Sequence, residues 1–135
     1  MKSCLALALM LVAVQSPNLS GSWALEAPAT SGENFQLSAQ SGTLTLEHTG
    51  ATVTGTWKGR MPDPWKLTGN VKGNTFELQT EVRGVPATRN GEPTTVQRRW
   101  IFRGSVDADK MTGSMQLAGG DGELPAQPFT AARKR

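Results

Sequence analysis

The sequence predicts an all-β fold, an eight-stranded antiparallel up-and-down β-barrel. Apolar and polar residues alternate with a period of two in eight segments, and helical periodicity is nearly absent beyond the first residues. Most links between these segments are short and carry turn-forming residues, which indicates antiparallel neighbours. A long series of hairpins with one polar face favours a sheet closed on itself, because closure removes exposed edges. A two-sheet β-sandwich is the alternative.

Each predicted strand has one apolar and one polar face. In residues 43–48, Leu44 and Leu46 point one way, and Thr43, Thr45 and Glu47 point the other. In residues 75–83, the same alternation places Val82 on the inward face. The eight strands are predicted at residues 19–25, 43–48, 51–57, 65–71, 75–83, 96–106, 110–117 and 128–133.

A glycine flanked at i−2 and i+2 by apolar residues recurs five times. Residues i−2, i and i+2 of a strand share one face, so each of these glycines points inward. A phosphate-binding loop needs exposed backbone N–H groups at a strand-to-helix turn, which a glycine in mid-strand does not offer. We interpret the glycines as structural positions where strands bend and coil around bulky side chains. They are Gly21, Gly55, Gly69, Gly104 and Gly113.

Residues 1–16 have the layout of a secretory signal peptide. Lys2 precedes an uncharged apolar run at residues 4–14, which is shorter than the roughly 20 residues that a membrane-spanning helix needs. We therefore expect a secreted or periplasmic protein with no membrane span, whose single domain is residues 17–135; a buried N-terminal helix is the alternative. Cys4, the only cysteine, lies in this leader, so the domain has no disulfide.

Three links are longer than a turn, at residues 26–41, 84–94 and 118–127. We expect the first to hold an extra strand or a lid. The second has two prolines and the third is rich in glycine, so we expect both to be loops. Connections of this length are often functional.

Enzymatic chemistry is not indicated. His48 has no second histidine beside which to build a usual zinc site, and the carboxylates fall on outer faces or in loops. Residues 107–109 lack the glycine and the glutamate of a calcium loop. The net charge of +3 comes from scattered cations, without the basic face that nucleic-acid binding requires. We expect no catalytic residue, no metal, no cofactor and no nucleic-acid partner.

The inward positions form an aromatic lumen with two polar members in its mid-chain strands, Thr80 and Arg98. Such a lumen is either a packed core, as an eight-stranded barrel allows, or a pocket for a small molecule. In a pocket, Arg98 would neutralise a carboxylate ligand; in a packed core, it would extend out of one barrel end. The candidate ligand-binding residues are Trp23, Trp57, Trp65, Phe76, Thr80, Arg98, Trp100 and Phe102.

The first strand also carries a family resemblance. Its "NLSGSW" contains the G-x-W motif, Gly21 and Trp23, that opens lipocalins and avidins, the calycin barrels. In that group a cation from the last strand commonly packs over this tryptophan, and Arg133 stands in the matching place, with Arg135 as a second candidate. Five motifs in order across residues 18–133 resemble small secreted bacterial lipocalin-like domains of unassigned function. The chain has no lipocalin T-D-Y triplet and no tyrosine, so the resemblance implies no biotin site.

Together these features predict an exported, non-catalytic barrel that binds a small apolar or amphipathic ligand in its lumen. One alternative is a protein-interaction module, such as a protease-inhibitor-like barrel presenting residues 17–19, since small inhibitor barrels also begin "LSGxW". Another is an accessory domain associated with hydrolases. The sequence identifies no protein partner and no oligomeric state.

Overall fold

Alternating segments form eight strands that close into an antiparallel up-and-down β-barrel, as predicted. The computed structural model describes residues 18–33, 35–60, 62–119 and 124–134; the predicted leader lies outside them. The strands are β1 (Gly21–Ala27), β2 (Thr30–Gly32), β3 (Phe35–Leu37), β4 (Gln40–Thr49), β5 (Thr52–Lys58), β6 (Trp65–Lys72), β7 (Thr75–Thr80), β8 (Arg83–Arg89), β9 (Glu92–Asp107), β10 (Lys110–Gly119) and β11 (Gln127–Arg133). The barrel uses all of them except β2, β3 and β8.

The barrel strands follow the chain order β1, β4, β5, β6, β7, β9, β10 and β11, and β11 pairs with β1 to close the ring. Closure rules out the sandwich. Tight turns join β4 to β5, β6 to β7 and β9 to β10 at one end, which we call the turn end. Residues 59, 60 and 62–64, the described residues between β1 and β4 and those just before β11 lie at the other end, the loop end.

At four of the predicted glycines, backbone of a neighbouring strand occupies the space that a side chain would need. A Cβ on Gly55 would lie 1.9 Å from the carbonyl oxygen of Thr45 on β4. At Gly69, Gly104 and Gly113 the corresponding distances to a backbone oxygen are 2.1, 2.2 and 2.1 Å. The strands therefore approach one another more closely at these points than any other residue would allow.

Aromatic rings fill the middle of the barrel. Phe102 lies between Trp57 and Phe129, in edge contacts with ring centroids 5.9 and 5.8 Å apart. Phe129 also contacts Phe76 at 6.4 Å. All four side chains are buried in one cluster with the inward leucines and methionines. This part of the lumen is a packed core of the kind an eight-stranded barrel can hold.

A β-bulge separates β7 from β8 along the same partner strand. Gln79 pairs with Ile101, but Arg83 pairs with Arg98, so the β7–β8 side has one residue more than β9. The extra residue reverses the alternation. Val82, predicted inward, is therefore 55% exposed, and this prediction was wrong.

The link between β1 and β4 holds a small hairpin, β2–β3, that forms a sheet of its own. We call residues 28–33 and 35–39 the flap. Within it the Phe35 ring lies on Gly32, where a Cβ would come within 2.2 Å of the ring. The extra strand expected in this link is present, as two short strands.

The loop predicted for the second long link is wrong. This link belongs to a hairpin arm made of β8 and residues 92–98 of β9. Its turn is Asn90 and Gly91, with φ values of 54° and 81°, as a two-residue hairpin turn requires. Pro86 and Pro93 fall at non-hydrogen-bonded pairs, so their missing N–H groups would have pointed away from the hairpin. Both prolines are thus compatible with the paired strands.

Candidate ligand-binding cleft

A cleft of about 170 Å³ lies at the loop end, where the flap, the barrel wall and the segment before β11 meet. Its apolar surface comes from Leu37, Trp100, Leu117, Leu124 and Pro125. Its polar groups are three side-chain amides and one hydroxyl, those of Gln36, Gln40, Gln127 and Ser38. A concave apolar surface with a few hydrogen-bonding groups is typical of small-molecule sites.

Trp100 forms the boundary between this cleft and the packed core. Its ring is half-buried and lies 6.5 Å from that of Phe102, with the two planes inclined at 31°. Its backbone N–H donates to the Thr80 hydroxyl at 2.8 Å. The indole therefore has one side supported by the core and the other available to the cleft.

Gln127 fastens the flap over the cleft. Its side chain is only 3% exposed, and its Nε2 donates to the carbonyl oxygens of Pro28, at 3.3 Å, and Ser38, at 3.2 Å. These two residues are the two bases of the flap. Arg60 adds a third contact by donating to the carbonyl of Ala39 at 2.8 Å. The flap wall of the cleft is thus held by side chains from β11 and from the β5–β6 link.

Thr80, predicted as a ligand contact, has its hydroxyl engaged in the bulge. The hydroxyl donates to the carbonyl of Glu81 at 3.0 Å and accepts from Trp100 N–H, and the side chain is 4% exposed. It replaces the strand partner that the bulge removes from Trp100. Both hydrogen bonds of the Thr80 hydroxyl are therefore made to backbone groups.

Trp65 lies at the loop end beneath Arg83. The guanidinium carbon is 4.7 Å from the ring centroid, and the same group donates to the carbonyls of Asp63, at 3.1 Å, and Pro64. Arg83 also pairs with Glu81 at 3.2 Å. Trp65 is consequently 4% exposed and does not line the cleft.

The carboxylate of Glu81 has its pKa lowered below the ordinary value of 4.5. The main cause is the hydrogen bond that it accepts from the backbone N–H of Lys66 at 2.8 Å, and Arg83 acts in the same direction. This carboxylate is therefore ionised at neutral pH, and its bond to Lys66 N–H ties the bulge to β6.

Arg98 lies on the same face of β9 as Trp100, two residues closer to the arm tip. It is half-buried and donates to the carbonyl of Gly119 at 3.3 Å. It does not line the cleft. The remaining predicted lumen residues, Trp23, Trp57, Phe76 and Phe102, belong to the buried cluster.

Arg133 covers Trp23 at the turn end, as the calycin resemblance implied. Its guanidinium carbon is 4.3 Å from the indole centroid, its Nε pairs with Asp109 at 2.9 Å, and its Nη atoms donate to the carbonyls of Ser20 and, at 2.7 Å, Asn18. Gly21 leaves room for this group: a Cβ there would lie 3.2 Å from Nη1, and its φ of +126° is one that other residues rarely adopt.

Residues 18–20 close the turn end as a plug. Leu19 is fully buried, its carbonyl accepts from Trp23 Nε1 at 3.0 Å, and its N–H donates to Nδ1 of His48 at 3.1 Å. Ser20 Oγ accepts from the His48 N–H at 2.9 Å. His48 therefore has a structural part in holding the plug, and Leu19 is not presented to a partner.

Two other features of the described residues bear on function. They contain no cluster of three or more metal-ligating side chains. Over the same residues, no helix has the length and apolarity needed to cross a membrane.

Sequence reasoning missed Gln127, Gln40 and the flap wall of the cleft. Gln127 occupies an inward position on β11, in line with Phe129 and Ala131, and a polar residue at such a position is the signal that could have found it. The flap wall carried no such signal, since Gln36, Leu37 and Ser38 alternate as in any short strand. Comparisons of the chain with protein-family models, with curated proteins and with solved structures found no match.

Proposed function

We propose that this protein is an exported, non-catalytic, calycin-like barrel that binds a small apolar or amphipathic ligand at the loop-end cleft beside Trp100. The observation that carries the proposal is the half-buried Trp100 ring, which packs against the core on one side and lines an apolar cleft on the other. The packed rings of Trp57, Phe102 and Phe129 fill the middle of the barrel, so they favour the loop end, rather than the whole lumen, as the place of binding. The proposal of export rests on the leader-like residues 1–16, and the calycin likeness on the G-x-W motif and the Arg133–Trp23 contact.

A titration with a neutral fluorescent probe, N-phenyl-1-naphthylamine, tests the binding proposal. We expect saturable probe emission with quenching of tryptophan fluorescence, and weaker binding to Trp100→Ala. Leu124→Gln, on the segment before β11, gives a second wall change that leaves the barrel strands intact. Val82→Ala is the matched control, since Val82 is exposed at the same end and lies outside the cleft. The proposal fails if the probe does not saturate or if both cleft variants bind it as the control does.

The arm favours a second candidate, a protein-interaction module. It continues past Gly119, the last described β10 residue paired with β9, and its seven residue pairs span about 20 Å. Inhibition assays against a panel of secreted proteases test this candidate, with Arg89→Ala at the arm tip as the variant. Inhibition by the wild type that Arg89→Ala weakens would support this candidate. If the wild type inhibits no protease of the panel, the protein is not an inhibitor of these proteases.

A further inference from the structure

We infer that the ligand of the loop-end cleft is neutral where it enters the protein: an apolar group of about six heavy atoms capped by an uncharged hydrogen-bonding group. This inference rests on the proposed function and adds the chemical class of the ligand. Three properties of the cleft lead to it, namely its charge, its hydrogen-bonding groups and its size.

The described lining of the cleft carries no charged side chain. The segment that leads into Leu124, residues 120–123, contains two carboxylates and no cation, so it cannot supply a positive charge either. Moving an ionised carboxylate from water into an apolar site without a cation is strongly unfavourable. The site therefore discriminates against anionic ligands.

Two cations lie close enough to bear on this conclusion, Arg60 and Arg98. Arg60 donates to the carbonyl of Ala39 in the flap and does not line the cleft. Arg98 shares a face of β9 with Trp100, but its guanidinium donates to the carbonyl of Gly119 and does not line the cleft. A ligand carboxylate seated against Trp100 would need Arg98 to leave that carbonyl. The rival prediction is a carboxylate ligand bound by Arg98, and replacing Arg98 tests it.

The polar groups of the lining are suited to an uncharged head group. The amides of Gln36 and Gln40 and the hydroxyl of Ser38 can each donate and accept hydrogen bonds. The Nε2 group of Gln127 is already occupied by the two flap carbonyls. An alcohol or a primary amide matches groups that donate and accept, whereas a carboxylate can only accept.

The volume limits the inserted part of the ligand. A cleft of about 170 Å³ is smaller than the roughly 300–1,000 Å³ of pockets for drug-sized ligands. At about 30 Å³ for one water-sized group, it holds about six such groups. A short chain fits, and the remainder of a longer ligand would extend past the flap.

Competition against the neutral probe, using n-alkanols and n-alkanoates of four to eight carbons at pH 7.5, tests the inference. We expect alkanol affinity to rise about four-fold per methylene and to level off near six carbons. Hexanoate should bind at least about ten-fold more weakly than hexanol. Gln40→Leu should weaken hexanol binding, and Arg98→Gln should change neither series; a thermal melt of each variant establishes that it is folded.

Hexanoate binding as tight as that of hexanol would overturn the inference and leave the proposed function standing. Loss of hexanoate affinity in Arg98→Gln would overturn it as well, in favour of the carboxylate ligand. If the probe saturates but alkanol affinity rises steadily through eight carbons, the size limit is refuted. If neither the probe nor any chain binds, the proposed function itself is refuted, and the inference with it.

Discussion

Replacing Arg133 by methionine tests whether the turn end is held mainly by one side chain. Methionine retains much of the apolar stem and removes the guanidinium. The change deletes the contact over Trp23, the bonds to two backbone carbonyls and the pair with Asp109. All four partners lie at least 24 residues away along the chain, so the side chain ties the C-terminal strand to distant parts of the barrel.

The magnitude follows from the exposure of these partners. A cation over an indole contributes about 0.5–2 kcal/mol, and a hydrogen bond from a charged donor about 1.5–3 kcal/mol at buried sites. Asp109 is 45% exposed and Arg133 only 24%, so the ion pair is discounted to about 0.5 kcal/mol and the carbonyl bonds to about 1 kcal/mol each. We expect a loss of about 3 kcal/mol in the free energy of unfolding, or about 12 °C in Tm for a domain of this size.

Urea denaturation followed by tryptophan fluorescence measures this loss, and Arg103→Met is the matched control. Arg103 also pairs with a carboxylate, that of Glu77 at 3.0 Å, but both side chains are more than half exposed on the outer face. We expect the control to cost at most about 0.5 kcal/mol. Arg133→Lys should fall between the two, because lysine keeps the charge and loses the planar fork. A cost for Arg133→Met within about 1 kcal/mol of the control would refute the reasoning.

Three further predictions concern the strands and the bulge. Gly55→Ala should destabilise by more than about 2 kcal/mol in urea, because the new Cβ would lie 1.9 Å from a backbone oxygen of the neighbouring strand; a near-neutral result would show that the strands can separate there. Thr80→Val should cost about 1–3 kcal/mol, because it leaves the N–H of Trp100 without its acceptor, and Thr80→Ser should restore most of it. Glu81→Gln should lower the unfolding free energy at pH 7, and the difference from the wild type should shrink as the pH is lowered below about 4.5. The bond from Lys66 N–H lowers the folded pKa of Glu81, so its stabilisation is present above about pH 4.5 and lost as the pH falls through the folded pKa; a wild-type advantage that does not shrink on acidification contradicts this.

The alternation of residue types was sufficient to predict the barrel, because one buried and one solvated face determine both the strands and their register. It failed where a polar side chain does the work of a backbone group. At the bulge, Thr80 accepts from Trp100 N–H and Glu81 accepts from Lys66 N–H, so two side chains replace ladder hydrogen bonds. Both partners are at least fifteen residues away, and no local pattern indicates them.

The arm was missed for a different reason. Its two prolines favour a loop, but the link also holds Asn90-Gly91, and Asn-Gly between alternating segments is the strongest short-range signal of a hairpin. The prolines oppose a strand only if their nitrogens face the partner, and that depends on which pairs of the hairpin are hydrogen-bonded. Counting from the two-residue turn places Pro86 and Pro93 on the outward edges. The hairpin was therefore predictable from the sequence, provided that the residue pairs are counted outward from the Asn90-Gly91 turn.

The bulge also connects the fold to the candidate site. Arg83 and Arg98 are directly opposite each other; Arg83 lies over Trp65, and Arg98 is two residues from Trp100 on β9. The shift of one residue brings Arg83 toward β6, where Trp65 and the carbonyls before it take up its guanidinium. Arg98 turns to Gly119 on the other side and leaves Trp100 half-buried. At the turn end no such choice exists, since Arg133 covers the single tryptophan there. The two ends thus use the same arginine–tryptophan contact, and at the loop end a second indole, that of Trp100, remains half-buried beside the cleft.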